Sequence, residues 1–107
     1  MSALNVTRRD TAAGPVLDVT GSLDYDHATT LRHEVRLLSL VSGQCLSIDL
    51  SGLDFCDSSG ISALLAVRQH VLEAGADMVL VSVPANTVRI LTMVGLNRVF
   101  TIHPGTA

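Results

Sequence analysis

The chain has 107 residues, of which 48% are hydrophobic and 16% charged, and its formal net charge is -3. That length and apolar content suit one domain with an ordinary core, and the charge has the wrong sign for a protein that binds nucleic acid by displacing phosphate counterions. All seven basic residues are arginines, which excludes a P-loop lysine, a Schiff base and a kinase-type phosphate lysine.

Tyr25, Phe55 and Phe100 are the only aromatic residues, too few for a stacking platform on single-stranded nucleic acid. Cys45 and Cys56 lack CxxC spacing, and no basic and apolar leader opens the chain, so a reduced, cytoplasmic setting is expected. The apolar stretches fall far below the roughly 20 residues of a membrane span, so integral membrane insertion is not expected.

In chain order, Leu4 to Arg9 and Val16 to Thr20 read as two strands joined by a turn at Ala13-Gly14-Pro15. Ala28, Leu31, Val35 and Leu38 then recur at helical spacing, predicting a helix to about Val41 with Asp26 as its cap or first-turn carboxylate. Leu46, Ile48 and Leu50 alternate with Ser47 and Asp49, a strand that Ser51-Gly52 should break. From Ser58 to Ala74 a second helix places Ile61, Leu64, Leu65, Val71 and Leu72 on one face, with the stem of Arg68 packed among them and Gly75 as its stop.

Met78 to Val83 reads as a strand, and Pro84 opens a third helix carrying Val88, Leu91 and Val94. Gly95 ends that helix before a last strand at Val99 to Ile102. The order β-β-α-β-α-β-α-β defines an α/β fold with a mixed sheet, in one domain from about residue 4 to residue 103.

The segment Leu46 to Leu65 carries the chemistry, because a strand there turns directly into a helix beginning Asp57-Ser58-Ser59-Gly60. Free N–H groups and the helix dipole favour an anion at such a place, so a serine there either caps the helix or carries a phosphate. Asp57 after a strand also invites a receiver-domain reading, which the missing lysine weakens.

This stretch resembles the STAS domain of bacterial anti-sigma-factor antagonists. Gly21-Ser22-Leu23-Asp24 is similar to that family's Gly-x-Leu-Asp signature, and Val88 to Phe100 to its closing helix, Gly-Leu and terminal strand. The three signatures stand in order over nearly the whole chain. Such antagonists often continue into a further C-terminal helix, whereas this chain ends soon after its last strand, so contacts of that helix are not carried over.

The resemblance implies a partner switch. The bare protein binds an anti-sigma factor that is also a serine kinase, freeing a sigma factor; phosphorylation releases it, and a metal-dependent serine phosphatase restores it. Carried over by motif, Ser58 is the phosphate acceptor with Ser59 as second choice, and Asp24, Tyr25, Asp57, Ser59 and Gly60 join Ser58 on the partner-binding surface. The alternative within the same family is a scaffold subunit of a stressosome-like, stress-sensing complex.

No cofactor and no metal is expected. Asp24, Asp26, Asp54 and Asp57 match no metal-binding loop, and His27 and His33, six residues apart, do not share a helix face, so both read as surface histidines. His70 and His103 belong to no motif. Cys56 reads as a small buried hydrophobe rather than a redox centre. A serine hydrolase would need a base beside Ser58 and a Gly-x-Ser-x-Gly elbow, which is absent, so no enzymatic activity is expected.

Overall fold

A computed structural model describes residues 3–105. The two opening strands are β1 (Asn5–Thr11) and β2 (Gly14–Leu23), followed by α1 (Ala28–Arg36), β3 (Cys45–Cys56), α2 (Ser58–Glu73), β4 (Asp77–Val83), α3 (Ala85–Met93) and β5 (Thr101–Pro104). They form one five-stranded sheet in the order β1-β2-β3-β4-β5, antiparallel between β1 and β2 and parallel elsewhere. The mixed α/β architecture and its element order are those expected from the alternation of periods.

Each helix crosses from one parallel strand to the next neighbour in the same direction of advance, and a single crossover handedness then puts α1, α2 and α3 on one face of the sheet. Burial follows that rule. Leu46, Ile48 and Leu50 of β3 are fully buried, whereas Ser47 and Asp49 between them are only half-buried. Leu17, Ile48, Leu80 and Ile102 lie in register across β2 to β5 and form the central row beneath the helices. Leu31 and Val35 of α1, Leu64, Val67 and Val71 of α2, and Leu91 of α3 cover it, and each fully buried aliphatic side chain contributes roughly 1.5–3 kcal/mol.

On the open face Asp18 accepts two hydrogen bonds from Arg9, Nε at 2.6 Å and Nη2 at 2.9 Å. These hold the Asp18 carboxyl below its usual range, although so exposed a pair adds little to stability.

Several boundaries differ from the sequence expectation, among them those of β2, which takes in Gly14 and Pro15 of the expected turn and runs on to Leu23. Helix α1 ends at Arg36 instead of Val41, because Leu38 turns inward while Leu37 and Val41 stay exposed. The chain then docks on the turn after α2, where the Gly43 N–H donates to the Gly75 carbonyl at 3.1 Å. Strand β3 does not break at Ser51-Gly52 but runs on to Cys56. Gly52 lies against Thr20, whose Cγ2 would be 2.5 Å from an added Cβ, and the β2–β3 register shifts there, so the glycine marks an irregularity within a strand.

The last strand begins at Thr101, after a 3-10 turn at Leu96–Arg98 that places Phe100 in the core. The buried face of α2 is Gly60, Ala63, Leu64, Val67 and Val71, while Leu65 and Leu72 are exposed and Arg68 is half-buried. Asp26 is exposed; it is Asp24 that serves the start of α1.

Candidate functional site

Strands β2 and β3 end side by side, with Leu23 and Cys56 in register, and this pairing joins the two segments singled out from the sequence. The Asp57 N–H donates to the Leu23 carbonyl at 3.4 Å. Gly60, one turn into α2, packs onto the same carbonyl. A Cβ there would stand 2.2 Å from the Leu23 oxygen and 2.8 Å from the Cys56 sulfur, so the close approach requires glycine.

Asp57 is the N-cap of α2, its Oδ1 accepting from the Gly60 N–H at 3.0 Å. Neither serine therefore has to cap the helix. Ser58, the first helical residue, is exposed, and Ser59 is half-buried. The free N–H groups of that first turn and the positive end of the helix dipole give the site a preference for an anion.

Asp24 is 6% exposed and organises the entrance to α1. Its Oδ1 accepts from the His27 N–H at 3.2 Å and lies 2.7 Å from His27 Nδ1, and its carbonyl accepts from the Ala28 N–H at 2.8 Å. His27 is thus a half-buried partner of Asp24 instead of a surface histidine; the i, i+3 spacing was the available signal. Tyr25 projects into solvent at 80% exposure. Two residues before Asp24, the fully buried Ser22 hydroxyl has no hydrogen-bond partner among the described residues, which costs about 1–3 kcal/mol.

Ser59 faces a groove between α1 and α2, of about 250 Å³, which Tyr25, Thr29, Arg32 and Ser62 also line. Arg32 had no motif to reveal it; only the packing of α1 on α2 brings it to the serines.

Burial, and then the neighbouring Asp57 charge, push the Cys56 thiol up to about 11. Two pH units above the ordinary value mean roughly a hundredfold less thiolate near pH 8. Iodoacetamide is expected to alkylate Cys56 about a hundredfold more slowly in the native protein than in urea. Equal rates would contradict this placement of the sulfur. Among the described residues no group of three or more His, Cys, Asp or Glu is arranged to hold a metal ion, and no helix is long and apolar enough to cross a membrane.

A five-stranded mixed sheet covered on one face, with a capped helix starting where two parallel strands end, defines an α/β module with its candidate site at strand ends. The model of the STAS domain family matches residues 3–107, and the chain belongs to that family. It is similar in structure to an anti-sigma factor antagonist from Mycobacterium paratuberculosis, with 27% identity, a TM-score of 0.78, and coverage of 97% of this chain and 91% of that one. The phosphorylated form of SpoIIAA, the Bacillus cell fate determinant, matches over 94% of this chain and 90% of its own, at 16% identity and a TM-score of 0.68. The murine Slc26a9 anion transporter also contains the fold, at 16% identity and a TM-score of 0.68, with 99% of this chain corresponding to 21% of the transporter. The same fold therefore serves different proteins, and the function rests on the site. This chain is a STAS domain resembling anti-sigma factor antagonists.

Proposed function

We propose that the domain is a cytoplasmic, non-enzymatic anti-sigma-factor antagonist controlled by phosphorylation of Ser58. Unphosphorylated, it binds an anti-sigma factor with serine kinase activity and so frees a sigma factor. The kinase modifies Ser58, the complex separates, and a serine phosphatase restores the binding form.

One observation carries this reading: Asp57 caps α2, so the exposed Ser58 hydroxyl is left accessible on the first turn of the helix. The N-terminal end of α2 accommodates a phosphate of charge about -1.5 to -2 in the free domain, stabilised by the helix dipole and open to water. The fold need not change. The exposed Tyr25 and the half-buried Asp57 and Ser59 join Ser58 on the surface that a partner reads, and the buried Asp24 and Gly60 hold that surface in place.

The test uses protein purified from its native cells. Trypsin cuts this lysine-free chain only at arginines, releasing the peptide Leu37 to Arg68, and fragmentation locates any phosphate within it. Phosphate on Ser58 is expected. Phosphate on Ser59 would move the switch by one residue, and a peptide unmodified under both growth and stress would overturn the switch.

A further inference from the structure

The groove beside Ser59 is one end of a longer furrow. A second hollow of about 250 Å³ lies further along the same two helices, and Arg32 lines both. Along α2 the furrow extends from Ser59 to Glu73, roughly 20 Å at the helical rise, with Ala63, Ala66 and Val67 among the residues of its walls.

Its charge is opposite to that of the chain. Arg32 and Arg36 stand one turn apart on α1 and both line the furrow, and neither is in a salt bridge among the described residues. His70 faces them from α2. The one carboxylate in the lining, Glu73, is at the far end, where its Oε1 accepts from Gln69 Nε2 at 3.1 Å. Charges further away than about 8 Å are largely screened at physiological salt, so the net charge of -3 does not cancel this local field. Arginines without partners beside small apolar side chains offer a carboxylate two-point hydrogen bonding and an apolar side chain somewhere to rest.

We infer that the α1–α2 furrow is a docking surface for an acidic, partly apolar segment of a partner protein, with Arg32 and Arg36 as its anchors. This deepens the proposed function, resting on that reading only for who the partner is. Ser59 and Arg32 share one end of the furrow, so a phosphate on the first turn of α2 places an anion where the acidic segment enters. Modification then repels the segment without any rearrangement of the domain.

The test titrates the ¹⁵N-labelled chain with an acetylated and amidated peptide of about 14 residues, made of Glu and Leu in helical alternation to match the furrow. The control peptide has every Glu replaced by Gln. Saturable shifts confined to α1 and α2 around Arg32, Arg36 and His70 are expected, lost on raising the salt to about 0.5 M. The double variant Arg32→Gln/Arg36→Gln should bind at least about tenfold more weakly. Arg89→Gln/Arg98→Gln, which removes the same charge outside the furrow, should bind as the parent does. Equal binding of the control peptide, shifts centred elsewhere, absence of saturable binding, or an equal loss in the Arg89/Arg98 variant would each overturn the inference. Neither kinase nor phosphate enters this experiment, so its failure and that of the Ser58 switch are read separately.

Discussion

Replacing Gly60 with alanine is expected to destabilise the domain by about 3 kcal/mol, lowering its melting temperature by more than about 10 °C. In an exposed helix the same change would stabilise by up to about 1 kcal/mol, so the sign alone separates the two situations. Here the new methyl would meet the Leu23 carbonyl at 2.2 Å, a backbone atom held in the β2–β3 ladder, and the Leu23 side chain at 3.0 Å. Neither can yield without moving the end of β2 or the start of α2. Ser62→Ala, on the exposed side of the same helix, provides the comparison and should melt with the parent. A Gly60→Ala protein melting within about 3 °C of the parent would show that α2 does not enter the sheet as described.

The second large effect is on binding. Stoichiometric phosphorylation of Ser58 is expected to weaken the complex with the anti-sigma factor by at least about a hundredfold, or about 2.7 kcal/mol. The phosphate would have to shed water beside the carboxylate of the adjoining Asp57 when the partner closes over it, whereas in the free domain it keeps its hydration. Ser58→Ala should bind as the unmodified protein does and resist the kinase. Ser58→Asp should bind more weakly than Ser58→Ala but more tightly than the phosphoprotein, since a carboxylate has one charge and fewer acceptor oxygens. Calorimetry on the four forms checks the order, and undiminished affinity of the phosphorylated protein would remove the mechanism.

Much of this molecule could be read from local pattern. Leu46, Ile48 and Leu50 alternate because one face of β3 lies under helices, and Asp-Ser-Ser-Gly follows a strand because a cap must follow a strand that feeds a helix directly. What stayed hidden depends on neighbours distant in sequence. Gly52 looks like a strand breaker until Thr20 is placed beside it. Leu65 and Leu72 belong to a wide apolar stripe on α2, and which part of it faces the sheet is decided by the contact of Gly60 with Leu23.

The site residues divide in the same way. Asp57 and Ser58 were visible as a motif, although which of them caps the helix was not. Asp24 lies in a motif of its own, but only the fold shows that it, and not the exposed Asp26, accepts the N–H groups at the start of the first helix. Arg32 reaches the serines only through helix packing, for which no short spacing exists.

The junction of Leu23 with Asp57 and Gly60 also bears on when the site comes into existence. Its two halves lie more than thirty residues apart in the chain and meet only after a parallel crossover has closed. Parallel pairing of this kind forms late, because the loop entropy is lost before any contact compensates for it. A nascent chain that has just emerged from the ribosome as far as Ser58 therefore presents a serine in a disordered peptide, without the capped turn or the Asp24 frame. Under the proposed function, a kinase that reads that frame acts on the completed domain, so the pool open to regulation would be the folded one.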